Sequence, residues 1–301
     1  MSSSPVREGQ TFAGASRVAR YANFVKLPHT VFALPFALVG VTLATYRAPL
    51  TPAALGWVIV AFTAARFAAM GFNRIVDRRY DAKNPRTAMR EIPSGAMSVK
   101  EAKLLVVLAV VIFELAAWEL NALCYILSPF ALAWVLCYSF TKRFTHWSHL
   151  VLGLGLGIAP VGGYLAITGT WSDPWWMLVA LAFAVMCWTG GFDILYALQD
   201  IDFDRANGLH SLPARVGARR ALAIARGLHV MTVVLLALVG YAAGEGPLYA
   251  AGVVVAAGLL VFEHTLVHAE DVSKVDRAFF TVNMALSSAF FAFVLAQRLW
   301  G

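Results

Sequence analysis

The 301 residues are 60% hydrophobic and 14% charged, with a mean hydropathy of +0.69. Soluble domains carry about 25% charged residues, so this composition excludes an ordinary water-soluble enzyme and indicates an integral membrane protein. A formal charge of +7 raises nucleic acid as a partner, but the placement of the basic residues argues against it.

Residues 1–23 read as a polar, basic tail on the cytoplasmic side, with no removable signal peptide expected. Nine transmembrane helices are predicted after it, at roughly 24–46, 52–74, 100–118, 121–140, 149–168, 174–197, 221–243, 247–267 and 278–299. Their length suits about 30 Å of hydrocarbon, and none shows the period-2 alternation of a membrane barrel, so the class is all-α. Thr51-Pro52 and Asp173-Pro174 each set a capping side chain before a proline, and Ser98-Val-Lys-Glu101 has the spacing of a capping box. Cys124, Cys137 and Cys187 lie in apolar runs without CxxC spacing and read as packing residues. The whole chain, 1–301, reads as one membrane domain.

With the N-terminus in the cytoplasm, 21 of the 24 Lys and Arg fall on the cytoplasmic side or its helix ends. Arg47 and Arg298 lie on the other side, and Arg66 within a span. That bias is a topology signal and accounts for the basic excess without nucleic acid.

Two acidic clusters stand at cytoplasmic span ends, Asn73-x-x-x-Asp77-x-x-x-Asp81 and Tyr196-x-x-x-Asp200-x-x-x-Asp204, in frames 123 positions apart. On a helix, residues at i, i+4 and i+8 share one stripe. Asp193 and Tyr196 extend the second stripe deeper, whereas Asp202 falls on another face. A single acid at a span end is ordinarily a solvated terminus; five acid or amide positions in two matched frames need another reason. Oxygen-only donors on an open site favour Mg²⁺, which bridges readily to phosphate oxygens. With Mg²⁺ the two arms become a clamp for a diphosphate leaving group, to which Arg74, Arg78, Arg79, Lys83 and Arg86 could add contacts. A membrane setting gives that substrate a long lipid chain, as in an allylic polyprenyl diphosphate.

The segments Asn73-Arg-Ile-Val-Asp77-Arg-Arg-Tyr-Asp81 through Pro93-Ser-Gly95, Asp193-Ile-Leu-Tyr196-Ala-Leu-Gln-Asp200-Ile-Asp-Phe-Asp204, and Tyr138-Ser-Phe-Thr-Lys142 resemble the signatures of the UbiA superfamily of intramembrane aromatic prenyltransferases. The resemblance implies a UbiA-type bundle in which two Mg²⁺ ions ionise a polyprenyl diphosphate and the allylic cation alkylates a hydroxylated aromatic acid. Asn73, Asp77 and Asp81 would hold one metal and Asp200 and Asp204 the other. Lys142 would contact the diphosphate, with Arg78, Arg86 and Tyr196 beside it, and Tyr138 would position it or shield the cation. Arg66 is an anchor for the acceptor carboxylate or a structural partner for Asp193. Asp193 is a candidate proton acceptor, with released diphosphate as its competitor.

Arg74 replaces an Asp common in the family, and His210 a Lys common in 4-hydroxybenzoate enzymes. Together with Lys26-Leu-Pro-His-Thr-Val-Phe-Ala-Leu-Pro-Phe36, these features resemble the branch of the futalosine menaquinone route. Its acceptor is a dihydroxynaphthoate, so ubiquinone and menaquinone synthesis both stay open. The implied location is a bacterial inner membrane with a cytoplasmic site. Rival readings are prenylation of protohaem or of a lipid alcohol, and a cation-coupled transporter, whose acids would lie near the midplane.

Overall fold

The computed structural model describes residues 17–301; the expected tail lies mostly outside them, as do the side chains of 27–32 in the Lys26–Phe36 segment. The elements in order are α1 (Arg17–Phe24), α2 (Leu27–Ala44), α3 (Pro52–Asp81), α4 (Val99–Leu120) and α5 (Ala122–Cys137), then α6 (Ser148–Thr168), α7 (Trp176–Ala197), α8 (Ile201–Ala206) and α9 (Leu212–Val216). The chain closes with α10 (Ala218–Ala243), α11 (Pro247–Leu266), α12 (Val275–Arg277) and α13 (Asn283–Trp300). Among the described residues there is no strand. In hydrocarbon only intrahelical bonding satisfies every backbone group, which is why long apolar runs resolve as helices.

Among the described residues seven stretches have the length and apolarity to cross a membrane: Pro52–Asp81, Ala122–Arg143, Ser148–Thr168, Trp176–Ala206, Ala218–Ala243, Pro247–Leu266 and Ala278–Trp300. Seven of the nine expected spans are therefore found on these criteria; those expected at 24–46 and 100–118 are not among them. The described apolar part of α2, Ala33–Ala44, is short. The helix α4 carries Lys100, Glu101, Lys103, Glu114 and Glu119 within its 22 residues.

Two capping expectations hold, and one does not. Thr51 accepts from the Ala54 N–H and Ser98 from the Glu101 N–H. Glu101 itself receives the Tyr21 hydroxyl at 2.8 Å, tying α1 to the start of α4. Asp173 caps nothing, because α7 begins later, at Trp176.

The helices close on one another in a ring: α2 packs on α6, α6 on α7, α7 on α10, α10 on α11, α11 on α13, and α13 back on α2. The α3–α4 pair joins through α5 beside α6. Lipid tails are as apolar as leucine, so these contacts depend on close van der Waals fit rather than on escape from water. Glycine provides the fit where α6 meets α7. A Cβ at Gly153 or Gly157 would meet the carbonyl of Met186 or Ala182, so Gly157→Val would force the two helices apart. Inside the ring lies an aromatic centre, with Phe36 at 4.7 Å from Trp188 and 5.9 Å from Phe290.

The candidate active site

The site forms where α3 and α7 end. Because α3 runs on to Asp81, one helix carries Arg66, Asn73, Asp77 and Asp81 down a single wall. The α7 wall carries Thr189, Asp193 and Tyr196, and the turn after it delivers Asp200 and Asp204. A 3₁₀ turn at Tyr138–Arg143 closes α5 and brings in Tyr138 and Lys142. These residues line one cavity of about 230 Å³, with Asn84, Arg86 and Arg90 of the 82–97 loop lying over it.

Its charges are paired across elements. Arg86 grips Asp200 with two bonds, Nε to Oδ1 at 3.2 Å and Nη2 to Oδ2 at 2.7 Å, and its Nη1 donates to the Tyr196 hydroxyl at 3.0 Å. Asn84 adds a 3.2 Å bond to Asp200. Arg90 meets Asp81 at 2.8 Å. Asn73 donates to Asp77 at 2.9 Å, and Arg143 lies 3.6 Å from the same carboxylate. The Lys142 ammonium stands in the field of Asp204, Asp193, Asp200 and Asp77. Its backbone carbonyl accepts the His210 N–H at 2.7 Å, so the segment after the second arm is tied to the 3₁₀ turn.

Arg78 is not brought to this cavity. Its position next to Asp77 turns it about 100° off the stripe, its Nη1 donates to the Ile75 carbonyl at 2.7 Å, and it lines a neighbouring basic pocket with Arg79, Lys83 and Arg143. Arg74 is buried, donating to the Phe24 carbonyl at 3.3 Å, although the main cavity also touches it.

Several residues at the site were not singled out from sequence. Arg90 and Arg143 sit on Asp81 and Asp77. His149, 1% exposed, bonds Asp193 at 2.6 Å. Ser139, Ser148 and Thr189 line the cavity with buried hydroxyls that have no hydrogen-bond partner. The one available signal was helical spacing: Thr189 stands four residues before Asp193, one turn deeper on the same face.

Two carboxylate oxygens, Asp81 Oδ2 and Asp204 Oδ2, are buried without a hydrogen bond. Unsatisfied buried carboxylate oxygens are costly. All-oxygen donors left in that condition fit a hard divalent cation. Among the described residues no three His, Cys, Asp or Glu side chains cluster tightly enough to form a protein-only metal cage. An open site using two carboxylates per arm, with phosphate and water completing the shell, is the arrangement Mg²⁺ favours.

A second cavity of about 220 Å³ adjoins the first below Arg66, Met70, Tyr138, Leu152 and Leu156, which line both. Its other walls are almost wholly apolar, including Phe62, Phe113, Leu127, Leu132, Val135 and Gly162. Tyr196 lies 4.4 Å from the Phe279 ring, and Phe279 5.1 Å from that of Phe192. The polar cavity is thus roofed by charge and walled below by rings and aliphatic side chains.

The family pattern of the UbiA prenyltransferase family matches residues 33–292. The 4-hydroxybenzoate octaprenyltransferase of Cronobacter sakazakii is 32% identical over 231 residues, 75% of this chain and 78% of that protein. Its counterpart from Citrobacter koseri matches to the same extent. Among solved structures, the apo UbiA homologue of Aeropyrum pernix K1 is 34% identical, with a TM-score of 0.82 over 90% of this chain and 98% of that one. The Archaeoglobus fulgidus UbiA homologue solved with GPP and Mg²⁺ shares the fold at 21% identity, with a TM-score of 0.70 over 93% of this chain and 99% of that one. The chain is an integral membrane prenyl transferase and belongs to the UbiA prenyltransferase family.

Proposed function

We propose that this protein transfers a polyprenyl group from an allylic polyprenyl diphosphate to a hydroxylated aromatic acid in quinone biosynthesis. It does so as one domain, 1–301, in a bacterial inner membrane with its site facing the cytoplasm. The observation that carries this reading is the junction at Arg66. There a cavity ringed by two acidic arms, Lys142 and Arg86 opens onto an apolar one suited to an isoprenoid tail.

Asn73, Asp77 and Asp81 would hold one Mg²⁺ and Asp200 and Asp204 the other; when bound, the ions would neutralise the diphosphate and make it a better leaving group. The chain's own part is positioning. Lys142 and Arg86 bind the diphosphate oxygens, and Tyr138 and Tyr196 bound the reacting carbon. The apolar cavity excludes water, which would otherwise capture an allylic cation, and the rings of Tyr196, Phe279 and Phe192 stabilise positive charge without acting as nucleophiles. Arg66 anchors the acceptor carboxylate at the junction, and Asp193 receives the proton lost from the alkylated ring.

The Mg²⁺- and GPP-bound neighbour supports the donor half of this reading, and the relatives named 4-hydroxybenzoate octaprenyltransferases support that acid as acceptor. His210 and the Lys26–Phe36 segment favour a dihydroxynaphthoate instead. Membranes containing the protein, given labelled prenyl diphosphate, Mg²⁺ and both acids in competition, decide between them by mass spectrometry of the products. Asp204→Asn should abolish either product. If no acceptor is prenylated and cation flux across the membrane is retained, the transferase reading is wrong and transport takes its place.

A further inference from the structure

His149 is a polar residue in an apolar helix, and both its ring nitrogens are used. Nδ1 lies 2.6 Å from Asp193 Oδ2, and Nε2 lies 3.4 Å from the backbone N–H of Leu212, the first residue of α9. A backbone N–H can only donate, so Nε2 presents its lone pair and the ring proton resides on Nδ1, aimed at the carboxylate. The imidazole is 1% exposed, which fixes its orientation, whereas the Asp193 side chain keeps 20% exposure and lines the cavity. A buried histidine, a carboxylate reaching the reaction space and a backbone donor locking the tautomer together make an oriented base.

We propose that His149 is the positioning residue for proton removal, holding Asp193 through one oxygen so that the other takes the proton from the alkylated ring. This rests on the reading of the protein as an aromatic prenyltransferase. In the step it serves, the ring carbon has already formed its bond to the allylic carbon, and the C–O bond pair has left with diphosphate. The ring C–H bond then breaks, its electron pair restores aromaticity, and the proton passes to Asp193. His149 keeps its Nδ1 proton throughout. Without that hydrogen bond the carboxylate loses its orientation towards the ring proton, and proton loss becomes the slow step.

The test is single-turnover prenylation of 4-hydroxybenzoate or dihydroxynaphthoate, whichever the wild type accepts, with and without deuterium at the ring carbons beside a hydroxyl. His149→Leu should slow product formation about 10- to 100-fold, the range for losing an orienting partner. It should also expose a primary isotope effect larger than the wild type's. His149→Asn, which offers an N–H where Nδ1 stood, should recover most of the rate and reduce the isotope effect. If His149→Leu does not accumulate, His149→Gln, whose donor lies one bond farther out, carries the same expectation.

A slow variant with no isotope effect, or one as fast as wild type, overturns the assignment, because a merely structural histidine would not alter C–H cleavage selectively. Asp193→Asn separates the remaining failures. Full turnover in that variant removes Asp193 as the base, whereas absence of product from the wild type itself rejects the transferase reading.

Discussion

Arg86→Gln tests whether the guanidinium is what makes Asp200 tolerable in the apo protein. The pair is nearly dry, with side chains 12% and 10% exposed, and the substitution removes both bonds to Asp200 and the bond to Tyr196. Breaking a buried ion pair by removing one partner costs about 3–5 kcal/mol, because the other charge is left behind. Asn84 and Lys142 remain near Asp200, so the lower end applies, about 3 kcal/mol. At about 2–4 °C per kcal/mol for a long chain, the melting temperature in detergent should fall by about 6–12 °C, followed by tryptophan fluorescence. Adding Asp200→Asn to Arg86→Gln removes the stranded charge, so the double variant should melt above Arg86→Gln alone. Mg²⁺ with an unreactive prenyl diphosphate analogue should narrow the Arg86→Gln deficit, since cations return to Asp200. An unchanged melting temperature, or losses that simply add in the double variant, would refute the reasoning.

Gly162 lines the apolar cavity, and a Cβ there meets nothing within 4 Å. Gly162→Leu should therefore shorten the longest donor used, read as a shift in product masses when a ladder of prenyl diphosphates competes. Thr189→Val keeps the shape of a buried side chain but deletes its unpartnered hydroxyl. It should raise KM for the aromatic acid several-fold while leaving KM for the donor within about twofold, the split expected of one lost substrate contact. At the opposite membrane face, burial pushes the Glu245 carboxyl up to about 7, against the Tyr46 hydroxyl bond and the Arg298 charge, which lower it. The folded protein therefore holds that proton longer than the unfolded chain, so this contribution to stability is full below about pH 4.3 and is lost as pH rises through about 7. Glu245→Gln should flatten the fall in melting temperature between pH 5 and pH 8 measured in detergent.

Helix positions were legible because lipid allows so few alternatives. An apolar run of spanning length must be helical, and Pro52 and Ser98 mark starts through local chemistry alone. The spacing of Asn73, Asp77 and Asp81 likewise required a shared face, and all three line the cavity. What the spacing did not carry was pairing across elements. Arg86 and Arg90 lie in a loop without periodicity, and nothing local says that they fold back onto Asp200 and Asp81. His149 is 44 residues from Asp193 and looks like any lone histidine in an apolar helix. Arg78 drew notice only by adjacency to Asp77, and adjacency on a helix means a different face. The fourth span illustrates the same gap between pattern and geometry: its run ends in a 3₁₀ turn, and that change of winding delivers Tyr138 and Lys142 to the site.

Between α12 and α13 the chain winds as a π-helix over Ala278–Val282. The Asn283 amide donates to Glu263 Oε1 at 2.7 Å and to the carbonyls of Ala278 and Phe279, and it accepts the Trp188 indole N–H at 2.6 Å. A π turn is an α-helix with one residue too many. Deleting a residue between 278 and 282 would restore ordinary winding and leave the downstream helix facing as it does, but it would change the spacing from Asn283 back to the Ala278 and Phe279 carbonyls. Phe279, whose ring stands 4.4 Å from that of Tyr196 and whose carbonyl accepts from Asn283, would shift with that spacing. The last helix thus makes length itself a constraint: here one extra residue is structural, and it sets how Phe279 meets the cavity wall.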